Sequence, residues 1–478
     1  MQNVKRATGY LPDERPPLWK LLLYAIQQVI VMFPATILVA LITGFHLSTT
    51  IFASGVATIV FILITGKKIP LYYGSSFSYL SAIIGLTGGV EFGQILPDHL
   101  ISITQFGIIA SGFVSIIAGL IVRFVGRNAI EKILPATVTG PVAIIIGLTL
   151  AGTALTDAAP QVGTAGAAGS DWVWLVSLVT LMVTILVSVY LKGVLGQLPL
   201  LIGPLVGCGV AGLLLAFSGG DLNLFRSLPD AAQSGKVIID GVLSVPHFAL
   251  PKFSLAALTA IMPVAIATIP ESTAHVFQLD IYVNNLARKK GKKPYDIGNR
   301  LGQNLIGDGI GDIVASLFGG PAGTNYGENI SAMAITKVFS VSVLFAAAII
   351  AIVISFITPF INAIYAIPQA VIGGIEVYLF GAIAAQGIAI MIEKKADMFD
   401  AKNIAVIAVI MIVGIGGQYA FGGNIPFLGT NVPCVAGAAI CGILLNLILS
   451  IGEKKRLAAA ASADEEDEIV NEYETVSE

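Results

Sequence analysis

Apolar runs of about eighteen residues or more recur from one end of this chain to the other. A run of that kind can cross a bilayer only as a helix or in a closed barrel, because lipid offers no partner to a backbone amide. The runs have helical length and lack the ten-residue alternation of barrel strands, which argues against an outer-membrane barrel. Composition agrees: the 478 residues are 56% hydrophobic and 12% charged, against about 25% charged in a soluble domain. The 52 glycines and 22 prolines then signify close helix contacts and interrupted helices. The expected fold is an all-α polytopic membrane protein.

Fourteen segments are predicted, near 18–43, 48–66, 71–90, 101–122, 130–152, 171–191, 197–218, 254–278, 301–318, 325–338, 340–362, 366–392, 402–420 and 431–451. The polar N-terminus is followed by a first apolar run long enough to span, so no cleavable signal is expected. With fourteen spans, both termini share one side. All 26 Lys and Arg except Arg226, Lys236 and Lys252 fall on that side, which the positive-inside rule makes cytoplasmic. They include Lys67-Lys68, Arg123, Arg127, Lys132, Lys192, the run Arg288-Lys289-Lys290, Lys292-Lys293, Lys394-Lys395 and Lys454-Lys455-Arg456. The chain is therefore expected to be multi-pass in the cell (plasma or inner) membrane. From Ala458 the tail is rich in Ala, Asp and Glu, the composition of a solvated segment.

The third and tenth segments are interrupted at their starts, by Tyr73-Gly74-Ser75-Ser76-Phe77 and by Gly323-Thr324-Asn325-Tyr326-Gly327-Glu328-Asn329. Pro135-Ala-Thr-Val-Thr-Gly140 opens the fifth segment and Pro368-Gln-Ala-Val-Ile-Gly373 the twelfth. Both pairs lie seven segments apart. Seven is odd, so the second half is inverted relative to the first. A 7+7 inverted repeat with paired broken helices is the sequence sign of a secondary transporter, with its site where the breaks meet.

Glu271 and Glu328 are carboxylates inside apolar segments, where a charge costs roughly 2.5 kcal/mol or more. Glu271, in Ile269-Pro270-Glu271-Ser272-Thr273-Ala274-His275, shares a helix face with His275, about 6 Å away at i+4. The pair is read as a proton site, since burial and a charged neighbour can bring either group to titrate near neutral pH. Glu328 stands at the second break, where free N–H groups begin a half-helix. A carboxylate beside such donors suits the N–H and C=O edge of a planar amide-like solute. Phe77 and Tyr326 flank the breaks and could sandwich a ring. Asp308 and Asp312 are read as near-interface carboxylates at a helix start or as part of an inner proton exit. Gln27-Gln28 are read as interhelical hydrogen-bonding groups. Cys208, Cys434 and Cys441 are read as small core residues. His46, His99 and His247 fall in outer loops and receive no role. No Walker motif, HExxH or GxSxG is present, which argues against an ATP-driven pump and against an enzyme.

Over about 18–451 the chain resembles the nucleobase–cation symporters (nucleobase–ascorbate transporters), and within them the uracil permeases. Glu328-Asn-Ile-Ser-Ala-Met-Ala-Ile-Thr-Lys337 is similar to the family signature, and Glu271 with His275 matches the uracil branch. The resemblance implies short antiparallel strands in segments three and ten, a homodimer, and two domains. The core would comprise 1–128 and 254–364, the gate 129–253 and 365–452, followed by an acidic tail at 453–478. It implies that Glu271 and Glu328 hold a nucleobase, with Ser76, Phe77, Tyr326 and Gly327 around the ring. His275 and Glu271 would carry proton coupling, with Na⁺ left open. Two departures stand out: Gln27-Gln28 where the family usually has Gln-His, and Ser331 where it usually has Gly. The acid at 328 leans towards uracil. A purine base symporter and a small-anion exchanger of the same 7+7 plan are the alternatives. No cofactor, metal or nucleic-acid partner is expected.

Overall fold

A computed structural model describes residues 9–126, 132–161, 163–164, 166–193, 195–228 and 235–451. The acidic tail, Arg127 and Lys454-Lys455-Arg456 lie outside these. Among the described residues, ten helices are long and apolar enough to cross a membrane. The remaining expected spans are filled by interrupted or shorter helices.

The first half comprises α1 (Leu18–Thr43), α2 (Leu47–Ile64), strand β1 (Tyr73–Ser75), α3 (Leu80–Thr87) and α4 (Asp98–Val125). It continues through α5 (Ala136–Thr149), α6 (Ala151–Ala158), α7 (Trp172–Tyr190) and α8 (Pro199–Phe217). A short hairpin, β2 (Val237–Ile239) and β3 (Leu243–Ser244), lies in the long connection that follows. The second half has α9 (Leu255–Ile261), α10 (Ala265–Lys289), α11 (Leu301–Leu317), β4 (Gly323–Asn325) and α12 (Gly327–Thr336). Then come α13 (Val341–Ile354), α14 (Thr358–Tyr365), α15 (Gln369–Glu393), α16 (Ala401–Phe421), the hairpin β5 (Asn424–Phe427) and β6 (Thr430–Pro433), and α17 (Cys434–Ile451).

The helices sort into two packing groups. In one, α11 lies along α4 and α2, and α13 along α1 and α2; in the other, α15 lies along α5, α6 and α7, with α7 on α8 and α5 on α16. The α4–α11 contact is made close by small residues: a Cβ on Gly309 would fall 2.2 Å from the Gly112 carbonyl oxygen. Lipid tails are as apolar as leucine, so such close backbone approach, rather than hydrophobic burial, holds membrane helices together.

The two breaks meet. β1 pairs antiparallel with β4, in the register Tyr73↔Asn325, Gly74↔Thr324 and Ser75↔Gly323. Flanking bonds extend the ladder: Tyr326 N–H donates to the Tyr72 carbonyl at 3.0 Å and Ser76 N–H to that of Ala322 at 2.9 Å. Each unwound stretch thus supplies the other's backbone partners, which non-helical chain at membrane depth requires.

Several expectations change. α10 runs to Lys289, well past the predicted end at 278. Asp308 and Asp312 do not start a helix near an interface: both are buried within α11. Of the cysteines only Cys434 is buried; Cys208 is half-buried and Cys441 exposed. The hairpins β2–β3 and β5–β6 were not anticipated, because their strands are too short to leave a period in the sequence.

The chain before α1 is clamped to the end of α10. Lys290 Nζ meets Glu14 Oε2 at 2.6 Å and Lys292 Nζ meets Oε1 at 2.8 Å. Burial pushes the Glu14 carboxyl up, but hydrogen bonds from Lys290, Lys292 and the Leu11 N–H outweigh it and hold it at about 2. The folded carboxyl is more acidic than the unfolded one, so this stabilisation is present above the unfolded value. It is lost as the pH falls from about 4.5 to about 2. Glu14→Gln should cost on the order of 1 kcal/mol at pH 7 and flatten the pH dependence in that window, as thermal unfolding in detergent would measure.

Candidate functional site

Antiparallel pairing dictates where the half-helices begin. A 3₁₀ turn (Phe77–Tyr79) leads into α3 directly after β1, and α12 starts directly after β4. The strands run in opposite directions, so the two half-helices leave the strand pair from its opposite ends and run apart, each with its N-terminus at the pair. The first N–H groups of each half-helix have no partner within it. α10, a continuous helix with Pro270 inside it, passes this point and carries Glu271 and His275.

Between these elements lies a cavity of about 40 Å³ lined by Phe77, Glu271, His275, Tyr326, Gly327 and Glu328, with Gln386 and Ile383 from α15. Glu271 Oε2 accepts from Ser78 Oγ at 3.2 Å. Glu328 sits in the first turn of α12. His275 Nδ1 is buried without a hydrogen-bond partner, and a Cβ on Gly327 would lie 2.9 Å from its Nε2. The polar neighbours of Glu271 and His275 are therefore Ser78 and the second break; the i, i+4 spacing brings both to one cavity without a hydrogen bond between them. Thr324 Oγ1 and Asn325 Oδ1 are also buried without partners. A pocket with unpaired polar atoms beside two carboxylates can hold a small solute that offers several donors and acceptors.

The aromatic residues divide. Phe77 packs edge-on against Phe380 of α15, ring centroids 5.4 Å apart. Tyr326 has its ring against Tyr72 at 6.4 Å and 27°, and its hydroxyl bonds Thr36 Oγ1 at 2.9 Å and the Ser75 carbonyl at 3.0 Å. Its ring is thus committed to the core and not free as one face of a sandwich. Gly74 makes room for it, since a Cβ there would fall 2.5 Å from Tyr326 Cζ. Ser76 Oγ accepts from Ser78 N–H and caps the 3₁₀ turn. Ser331 Oγ bonds back to the Gly327 carbonyl at 3.0 Å. Gln28 Oε1 accepts from Asn329 Nδ2 at 2.8 Å, which ties α1 to α12.

Residues that the sequence reading placed away from the cavity, or did not single out, do much of the positioning. Asp312 Oδ1 accepts from the Tyr73 hydroxyl and from Gly323 N–H, both at 2.7 Å, and so bolts α11 to both strands. Asp308 accepts from Ser272 Oγ at 2.5 Å, Asn304 Nδ2 at 3.0 Å and Asn325 Nδ2 at 3.0 Å, joining α10, α11 and β4. Gln386 was legible only as an amide in the apolar twelfth segment. Away from the cavity, Asp157 and the fully buried Glu376 contact each other, with Gln369 donating to Asp157 Oδ1 at 2.8 Å.

Two clefts extend the cavity towards the end of the molecule that carries Glu393, Lys394 and Lys395. One, of about 410 Å³, shares His275 and Gln386 with it. The other, of about 500 Å³, shares Gly327, Glu328 and Gln386. On the opposite side, the Phe77–Phe380 contact lies between the cavity and a separate cleft of about 620 Å³ lined by Asp157, Arg226 and Gln369.

The Permease family model matches residues 19–423. The uracil permease of Bacillus subtilis (strain 168) is 35% identical over 440 residues, covering 89% of this chain and 92% of that protein. The putative pyrimidine permease RutG of Escherichia coli (strain K12) is 33% identical over 448 residues, covering 92% and 91%. Among solved structures, the transmembrane domain of the cyanobacterial bicarbonate transporter BicA has a TM-score of 0.59 at 16% identity, covering 90% of this chain and 97% of that one. Murine Slc26a9, an anion transporter in its inward-facing state, has 0.62 at 11%, covering 92% and 69%. At these identities the structural likeness speaks for the 7+7 fold alone.

The strand pair sets the cavity, so crowding it should be felt twice. Gly74→Ala places a methyl into the Tyr326 ring and should cost about 1–3 kcal/mol. Adding Tyr326→Leu should recover part of the loss, read as the melting temperatures of the single and double variants. Additive losses would mean that the ring does not press on Gly74.

Proposed function

Because the chain belongs to the Permease family and is similar to uracil permeases over most of its length, and is therefore a permease and not an enzyme, we propose that it imports uracil by proton-coupled alternating access. The observation that carries this reading is the meeting of two acids, Glu271 and Glu328, with two half-helix N-termini around one cavity. Uracil presents ring N–H donors beside carbonyl acceptors. Carboxylates receive the donors, and the N–H groups at the starts of the half-helices are turned to meet the carbonyls. Phe77 supplies an apolar wall.

Coupling follows from the placement of Glu271 and His275. They line the cavity and, through His275, the cleft that leaves it. A proton taken up on the outer side removes negative charge beside the base and favours binding; its loss to the inner side favours release. One charge moved across 100 mV is worth roughly 2.3 kcal/mol, or about fifty-fold accumulation. The clefts towards Lys394-Lys395 and the closed Phe77–Phe380 contact suit an inward-facing state, given that the basic end is cytoplasmic as the charge asymmetry requires. The two packing groups would then move against each other as core and gate, in a homodimer in the cell membrane with both termini inside.

Glu271→Gln or Glu328→Gln should each lower labelled uracil uptake into proteoliposomes by about ten- to hundredfold, the worth of a charge-assisted hydrogen bond. The protein should still reach the membrane and melt within a few degrees of the parent. Full uptake by either variant would refute the site. His275→Ala should flatten the dependence of accumulation on the pH gradient more than it weakens binding; unchanged proton flux would refute the coupling role.

The anion transporters that share the fold favour a second reading, in which the half-helix N-termini hold bicarbonate or a similar ion. Two acids at the cavity oppose it. Bicarbonate or sulfate flux without uracil flux would select it, and xanthine flux in place of uracil flux would select a purine carrier.

A further inference from the structure

The geometry points to a divalent transition-metal site formed by His46, Asp98 and His247, at the end of the molecule opposite Lys394-Lys395. These residues are far apart in sequence and lie on three separate elements. His46 immediately precedes α2, Asp98 is the first residue of α4, and His247 lies in the long connection after β3. One ligand atom from each lies within 4.8 Å of the others. His247 Nε2 stands 3.0 and 3.1 Å from the two Asp98 oxygens. The imidazoles of His46 and His247 are 4.5 Å apart between centroids and inclined by 42°.

A tetrahedral zinc ion with nitrogen and oxygen ligands needs ligand atoms about 3.3 Å apart. The His247–Asp98 edge already meets that spacing, and closing the triangle asks for a shift of His46 on the order of 1 Å. The backbones that carry the ligands are held in place. Thr49 Oγ1 donates to the His247 carbonyl and Gln105 Nε2 to that of Ala249 at 2.8 Å. Leu47 N–H donates to the Tyr365 hydroxyl at 3.0 Å, and Thr50 Oγ1 to the His46 carbonyl at 2.9 Å. Such prior ordering lowers the cost of binding.

The donor set selects the ion. Two imidazoles and one carboxylate suit Zn²⁺, Ni²⁺, Co²⁺ or Cu²⁺, whereas Mg²⁺ and Ca²⁺ prefer oxygen ligands. His46 is buried, His247 half-buried and Asp98 exposed, so an ion would enter from water and keep a water in its fourth position. All three elements lie in or against the packing group of α2, α4 and α11. A bound ion would therefore staple the long connection to that group without bridging to the other, and should stabilise the protein while leaving the cavity at Glu271 and Glu328 unaltered. The inference does not depend on the transported solute.

The test is thermal unfolding of the purified, tag-free chain with ZnCl₂ or NiCl₂ alone, against MgCl₂, together with the visible spectrum on Co²⁺ addition. Zn²⁺ and Ni²⁺ should raise the melting temperature by several degrees while Mg²⁺ does not, and Co²⁺ should give the absorption of a tetrahedral complex. His46→Gln and His247→Gln should each weaken Zn²⁺ binding by about tenfold or more. His99→Gln, next to the site but outside it, should not. No stabilisation by Zn²⁺ and no Co²⁺ spectrum would overturn the site and leave the cluster a His–Asp hydrogen bond only. Stabilisation that survives both histidine variants, or that Mg²⁺ matches, would overturn it equally.

Discussion

Everything in this structure hangs on the pairing of two short strands where helices are not allowed to continue. An unpaired backbone group in hydrocarbon costs several kcal/mol. A broken segment is therefore tolerable only beside another that can complete it. β1 and β4 do this for each other. Asp312 secures the arrangement from α11 by receiving one bond from each strand region, at Tyr73 and Gly323. Because the halves are inverted, the strands meet antiparallel, and the half-helices that follow them run apart from opposite ends of the pair, each with its N-terminus at the pair.

That arrangement explains why the polar groups of the cavity differ in kind. Glu328 belongs to the break itself, in the first turn of α12, where the helix dipole already favours an anion. Glu271 and His275 belong to an unbroken helix that passes beside the break. The Asp308 network to Ser272, Asn304 and Asn325 holds that helix against α11 and β4. Gln386 on α15 belongs to the other packing group and closes the cavity from that side. The cavity thus lies between the two packing groups, with Phe77 and Phe380 in contact on one side.

Much of this was legible in the chain. Apolar length marked the spans, Lys and Arg counted them, and Gly-rich interruptions seven segments apart marked the breaks. Glu271, His275, Gly327, Glu328 and Phe77 stood out as polar or aromatic groups beside those breaks, and the structure brings them to one cavity. Where the reading went astray, the cause was local. Asp308 and Asp312 lie in a Gly-rich stretch that resembles a helix end, yet their burial is set by Tyr73, Asn325 and Gly323, which are distant in sequence. Tyr326 lines the cavity, and the space left by Gly74 also takes its ring against Tyr72. Ser76 Oγ caps the 3₁₀ turn that opens α3.

The sequence by itself determined that this is a multi-pass helical membrane protein with inverted halves, where its helices break, and which acids lie near the breaks. Those facts follow from period, length and charge, which are properties of a segment and its immediate neighbours. Only the tertiary structure decided which strand pairs with which in register, that Asp312 bolts the pair, that Gln386 faces the acids, and that His46, Asp98 and His247 gather at one end. Each of these is a contact between residues tens to hundreds of positions apart, chosen by close packing and by the need to pair buried polar atoms, and no local pattern records such a choice.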